Sequence, residues 1–201
     1  MTKNSKEFFS KRKKENFYKK AKKEKVRARS YYKLEQINDK FKILEDKKSV
    51  LDLGCAPGAW IEYLDQFESI ESITGIDLLE VKDQHEFSKK VSIIEDDFNN
   101  IKKYINDEFD LILSDMAPEF SGDSKLDRGR THMLNLNTLD YCKSNLRKGG
   151  DLIFKTFEGE DLENVKKKSK KMFEEIKDFK PNSSQKRSSE QFIICKNKLY
   201  S

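Results

Sequence analysis

The apolar positions of this chain fall into short runs of two kinds. Tyr31, Leu34, Ile37 and Phe41 recur at helical spacing, which predicts an amphipathic helix from about Ser30 to Phe41. Ser49–Leu53 (SVLDL) then reads as a buried strand. It ends in the turn Gly54-Cys55-Ala56-Pro57-Gly58, and a helix is expected from Ala59 to Gln66. Further β-rich runs cover Ser72–Ile76, ending at Asp77, then Val91–Glu95 and Phe109–Ser114. A long loop with Pro118, Ser121 and Gly122 precedes a helix over Thr131–Leu146, closed by Gly149-Gly150. Asp151–Phe157 is the fifth strand, Asp161–Met172 a lysine-rich helix, Glu175–Phe179 the sixth strand and Gln191–Lys196 the seventh. Strands alternating with helices predict an α/β fold, a mostly parallel seven-stranded sheet flanked by helices.

The pattern is weak only in residues 1–24, which are lysine-dense and lack Gly and Pro. They read as a basic N-terminal arm, helical or partly disordered, ahead of a single domain over 25–201. The length of 201 residues suits that organisation. No apolar run reaches the ~18–20 residues of a membrane span, and the lysine-rich start has no apolar core of a secretory signal. A cytoplasmic location with no membrane partner is therefore expected. Three widely spaced cysteines, Cys55, Cys142 and Cys195, form no CxxC pair, so neither a disulfide framework nor a metal site is expected.

Charge is segregated behind the net +5. Residues 1–30 carry an excess of +10, residues 165–201 an excess of +7, and the middle is at −12. Basic ends around an acidic centre suit a chain whose two ends face a polyanion, although lysine runs are equally compatible with solvated helix faces. Phe8, Phe9, Phe17, Tyr18, Tyr31 and Tyr32 interleave the basic segment, placed either to stack on bases or to anchor it to the core.

Candidate chemistry starts at the first strand–helix turn. A glycine-bearing turn there lets a ligand approach the backbone at the carboxyl ends of the strands. Asp52-Leu53-Gly54-Cys55-Ala56-Pro57-Gly58 has too few glycines to cradle a pyrophosphate and lacks the Gly-Lys-Ser/Thr of a P-loop. Asp77 ends the second strand, where it can accept both ribose hydroxyls of an adenosine. Asp96-Asp97 follow the third, within reach of an adenine amino group. One strand-end acid can be a mere helix cap; DLGxxPG with acids after two successive strands points to S-adenosylmethionine. Four further polar residues stand in informative places: Lys33 on the first helix, Asp115 at the end of the fourth strand, Lys155 inside the fifth and Glu190 before the last. A lysine within a buried strand is costly unless it is paired or reaches the strand end.

In these motifs, RARSYYKL, VLDLGCAPGAW, GIDLL, SDMAPEFSG, GGDLIFK and RSSEQFIICK, the sequence closely resembles the RrmJ/FtsJ (RlmE) family of ribosomal RNA ribose 2′-O-methyltransferases, from about Tyr18 to Lys196. The resemblance implies a Rossmann-like S-adenosylmethionine-dependent methyltransferase fold and a catalytic tetrad of Lys33, Asp115, Lys155 and Glu190, with Lys155 as general base. It implies cofactor contacts at Gly58, Trp60, Asp77, Asp97 and Asp115, which join Gly54 and Pro57 of the turn. It also implies 2′-O-methylation of a uridine ribose in large-subunit (23S-type) ribosomal RNA by a monomer acting on that RNA or on the large ribosomal subunit. Related enzymes of tRNA anticodon loops and of mRNA caps use the same chemistry, and a catalytically silent RNA-binding ribosome-assembly factor on the same fold is the alternative from another class. Ala59 departs from a glycine common in the family and Glu119 from an asparagine; neither touches the tetrad. Cys55, Cys142 and Cys195 do not sit in the Pro-Cys loop of cytosine-C5 chemistry, and His85 and His132 are unclustered.

Overall fold

The computed structural model describes residues 17, 19–118, 121–184 and 189–200. Residues 1–16 and Tyr18 of the basic arm, the departure Glu119, and Arg187-Ser188 of the last motif lie outside them. The elements in chain order are α1 (Tyr31–Phe41), β1 (Ser49–Leu53), α2 (Ala59–Asp65), β2 (Ser72–Asp77), β3 (Val91–Glu95), β4 (Phe109–Ser114), α3 (Ser124–Asn145), β5 (Leu146–Phe157), α4 (Glu160–Ser169), β6 (Phe173–Phe179) and β7 (Glu190–Lys198). Among the described residues seven strands make one sheet in the order β3-β2-β1-β4-β5-β7-β6. The first five are parallel. β7 slots antiparallel between β5 and β6.

The two-residue period of the strands sorts the core into two layers. Val50, Ile73, Leu111, Leu113, Ile153, Phe192 and Ile194 pack with Leu34 and Ile37 of α1 and Ile61 and Leu64 of α2. Leu51, Leu53, Ile76, Ile112, Leu152, Phe154, Ile193 and Cys195 pack on the other face with Leu139 and Cys142 of α3 and Val165 of α4. Continuing the alternation puts Asp115, Lys155 and Glu190 on the face that α1 covers. Asp115 extends β4 by one step, its N–H donating to Leu53 O at 3.1 Å.

Two expectations from the sequence are corrected. The fourth-strand loop ends sooner, because Asp123 caps α3 by accepting from Lys125 N and Leu126 N at 2.8 and 3.2 Å, so the helix begins at Ser124 and not at Thr131. The Gly149-Gly150 pair does not close that helix. α3 ends at Asn145 and Leu146 is already extended. Pairing jumps from Phe109↔Leu146 to Leu111↔Asp151, so residues 147–150 bulge out of the ladder. Gly149 takes φ +76° there, and a Cβ on Gly150 would lie 2.8 Å from Arg147 O. The glycines shape a bulge inside β5. Small boundary shifts elsewhere follow the same ladder: β6 opens at Phe173 and β7 runs from Glu190 to Lys198.

The end of the basic arm is ordered on α1. Residues 19–24 are helical, and Ala21 is buried. The Phe17 ring lies 5.6 Å from that of Tyr32, whose hydroxyl donates to Glu24 Oε2 at 2.7 Å.

Candidate active site

An open cleft of about 540 Å³ lies at the carboxyl ends of the parallel strands, the position where doubly wound sheets bind their ligands. Its lining includes Gly54, Asp77, Asp97 and Asp115, four of the expected cofactor residues. Leu78, Leu79, Phe98, Met116 and Leu134 add apolar walls that the sequence reading did not single out. Leu78 and Leu79 are exposed although they directly follow a buried strand; that adjacency is the signal that could have found them.

Backbone geometry shapes the floor. Gly54 has φ +76°, and a Cβ there would stand 2.9 Å from Met116, so only glycine fits. The Asp77 carboxylate accepts from Ala56 N at 2.8 Å and from Leu79 N at 2.9 Å, tying both loops to the end of β2. Asp96 is committed internally. It accepts from Asp97 N, the Asn100 amide and the Tyr104 hydroxyl, and those bonds hold its carboxyl down at about 2. Asp97 caps the following 3-10 turn through Oδ1. Both acids line the cleft, and Asp96 carries the larger share of internal hydrogen bonds.

The remaining expected cofactor residues, Pro57, Gly58 and Trp60, are not part of this lining. Gly58 opens α2 with φ +95°, packed under Phe87 and Val81. Trp60 turns its ring into the core, 5.7 Å from Phe192, and its indole N–H donates to Ser30 O at 2.9 Å. Arg27, which the sequence reading passed over, clamps the neighbouring loop: its guanidinium donates to Lys82 O, Asp83 O and Glu86 and stacks 4.3 Å over Phe87.

Around Asp115, which lines the cleft, the four polar residues converge, although they come from α1, the end of β4, β5 and β7. Lys155 Nζ stands 2.9 Å from Asp115 Oδ1 and also donates to the Asp115 carbonyl. Lys33 Nζ is 3.8 Å from Asp115 Oδ2 and 2.9 Å from Glu190 Oε1. The side chains are 8–18 % exposed, so two ammonium groups and two carboxylates share a largely dry pocket. Burial pushes the Asp115 carboxyl up, but Lys155 and Lys33 overcome that and hold it below the usual carboxylate range. Asp115 is thus the fixed anion of the cluster. Beneath it Asp52 is fully buried and finds no hydrogen-bond partner among the described residues. Burial, reinforced by Asp115 and Asp77, drives its carboxyl well upward, toward the neutral acid.

Two chemical properties follow. Carboxylates at Asp77, Asp97 and Asp115 suit a cationic ligand bearing hydroxyl and amino donors, and they repel a pyrophosphate. The inner cluster offers a lysine amine held in place by an anion, an arrangement suited to moving one proton.

Residues 26–198 match the FtsJ-like methyltransferase family. The chain belongs to that family. FtsJ-like relatives include "Ribosomal RNA large subunit methyltransferase E" of Brachyspira hyodysenteriae, 34% identical over 183 residues that cover 90% of this chain and 94% of that one. The protein of the same name from Pelagibacter ubique is 35% identical over 198 residues, covering 96% of each chain. A crystal structure of a ribosomal RNA methyltransferase from Plasmodium falciparum superposes with a TM-score of 0.74 at 27% identity, covering 88% of this chain and all of that one. The FtsJ-like fold expected from the sequence is therefore the one observed.

Other features stay structural. Cys55, Cys142 and Cys195 are buried free thiols, and burial pushes the Cys195 thiol up to about 12, so none is a poised nucleophile. His85 is exposed, and His132 is half-buried on α3 beside a cavity of about 20 Å³, room for a water and little more. No helix among the described residues is long and apolar enough to cross a membrane.

Proposed function

We propose that this methyltransferase uses S-adenosylmethionine to methylate a ribose 2′-hydroxyl in large-subunit ribosomal RNA. The observation that carries this reading is the Lys33–Asp115–Lys155–Glu190 cluster, which meets an acid-lined cleft through Asp115. Relatives that cover nearly the whole chain are named for ribosomal RNA. Asp77 and Asp97 would hold the hydroxyls and amino group of the adenosine, with Leu78, Leu79 and Phe98 against its ring. When bound, S-adenosylmethionine supplies a methyl group already activated on a sulfonium.

The chain's own task is then alignment and the removal of one proton. Lys155 Nζ, neutral at that moment, takes the proton of the ribose 2′-oxygen. Asp115 orients Lys155 through its carboxylate and its carbonyl oxygen. Lys33, fixed against Glu190, presents an ammonium to the ribose oxygens and offsets the charge that develops on the attacking oxygen.

Incubating the protein with S-adenosylmethionine and ribosomal RNA, then digesting the RNA for mass spectrometry, should reveal one new 2′-O-methylnucleotide in the large-subunit RNA. A methyl group found on transfer RNA would redirect the substrate assignment, and its absence from all RNA would overturn the reading.

Asp77→Ala should weaken S-adenosylmethionine binding at least tenfold by calorimetry, because a hydroxyl donor loses a charged acceptor. Asp77→Asn keeps an acceptor for the Ala56 N–H and separates the loop's needs from the ligand's. Unchanged affinity in both variants would remove Asp77 from the cofactor site.

The arm divides into two parts with different expected effects. Residues 1–16 carry six Lys/Arg against two Glu, whereas Phe17 and residues 19–24 pack on α1. Removing 1–16 should weaken RNA binding several-fold and flatten its salt dependence, since fewer counterions are released. Removing 1–24 should also lower the melting temperature. An RNA affinity with an unaltered salt slope after the shorter truncation would contradict an RNA-facing arm.

A further inference from the structure

Glu190 is held by more than Lys33. The Ser184 hydroxyl donates to Glu190 Oε1 at 2.7 Å, the same oxygen that faces Lys33 Nζ at 2.9 Å. Ser184 is 7% exposed, and it lies in a turn closed by its own N–H donating to Pro181 O at 3.1 Å. That turn is fastened to α1: Asn182 N donates to Gln36 Oε1 at 2.7 Å, and the Gln36 amide in turn donates to Tyr32 O at 2.8 Å. Lys33 and Gln36 stand three positions apart, on one face of the helix. One turn of α1 therefore holds both the Lys33 that meets Glu190 and the loop that delivers the serine. The contacts close a ring from Lys33 through Glu190, Ser184, the Pro181–Ser184 turn and Gln36 back to α1.

We propose that Ser184 is a positioning residue for methyl transfer, acting through Glu190, with Gln36 as the anchor that sets its loop. The inference rests on the tetrad reading of Lys33, Asp115, Lys155 and Glu190 given above. Glu190 is the first residue of β7, and the Ser184 hydroxyl bonds the same carboxylate oxygen that meets Lys33, so it bears directly on where that oxygen and the Lys33 ammonium sit. A hydroxyl donor to a carboxylate inside a largely dry pocket restrains that position. Ser184 touches no reacting atom in this scheme. Its effect is on the geometry of the ammonium that faces the ribose.

The experiment compares wild type, Ser184→Ala, Ser184→Thr, Glu190→Ala and the Ser184→Ala/Glu190→Ala double variant in single-turnover methylation of large-subunit RNA. Loss of a hydrogen bond to a charged group is expected to slow Ser184→Ala about tenfold, with RNA KM and S-adenosylmethionine affinity within about twofold. Ser184→Thr keeps the hydroxyl and should recover most of the rate. In the Glu190→Ala background, adding Ser184→Ala should cost nothing further, because a residue that acts only through Glu190 has nothing left to position. Gln36→Leu should give a smaller loss in the same direction, and none in the Glu190→Ala background.

Three results would overturn the assignment. One is a Ser184→Ala rate within twofold of wild type. Another is a loss of equal size with and without Glu190, which would mark the serine as a purely structural group, as would a loss that Thr does not rescue. An inactive wild type on every RNA offered would instead bring down the tetrad reading itself, and this inference with it.

Discussion

Lys155→Ala is expected to lower the single-turnover rate of methyl transfer ~10²–10⁴-fold, the range that a positioned general base contributes. S-adenosylmethionine affinity should stay within about twofold, because the Lys155 ammonium meets Asp115 and not the adenosine end of the cleft. Lys155→Arg sharpens the test. Arginine keeps the cation opposite Asp115 but cannot give up its proton at accessible pH. If Lys155 served only as a charge, the arginine variant would keep much of its rate. A base that must be neutral predicts that Arg is nearly as inactive as Ala. Retention of more than about a tenth of the wild-type rate by Lys155→Arg would exclude the base assignment. Melting curves belong beside both rates, since Ala leaves the buried Asp115 with Lys33 alone, at 3.8 Å.

The second large effect concerns the wall behind the tetrad. Phe192 is fully buried on β7, paired with Lys155 across β5, its ring 5.7 Å from Trp60 and 5.6 Å from Lys33 Nζ. Phe192→Ala should destabilise the fold by about 3–5 kcal/mol, the usual range for emptying a core aromatic site. That is a large part of the ~5–15 kcal/mol that holds a domain folded. Chemical denaturation read by circular dichroism would measure it. Phe192→Leu fills most of the space and should cost far less. A loss below ~1 kcal/mol for Ala would mean that the sheet collapses into the cavity. The activity of Phe192→Ala should fall as well, since Lys33 and Trp60 lose the surface they rest on.

Much of this was legible in the chain itself. The runs Val50–Leu53, Leu111–Ser114 and Ile153–Phe154 read as strands from sequence, and the two-residue period separates neighbours within each; the register between strands then brings Lys155 and Asp115 to one face. The turn from Gly54 to Gly58 and the acids Asp77 and Asp97 mark the ligand end of the strands, because parallel sheets bind at their carboxyl edge. The resemblance carried by the motifs around Lys33, Asp115, Lys155 and Glu190 grouped residues that span more than 150 positions.

Local pattern could not decide features that depend on a partner distant in sequence. Gly149 and Gly150 look like a helix stop, yet the mismatch between Phe109↔Leu146 and Leu111↔Asp151 makes them a bulge, and only the neighbouring strand sets that register. Asp96 and Asp97 are equivalent as sequence and both line the cleft, but Tyr104 and Asn100 engage only the first with their side chains. Trp60 reads as part of a cofactor motif, but Ser30 and Phe192 draw its ring into the core. Ser184 shows no periodicity and no motif of chemistry, and its partner Gln36 lies far upstream. Hydrophobic burial repeats along a strand or helix and so leaves a trace in sequence, whereas a hydrogen bond between two loops is a single event whose partners are chosen by the fold.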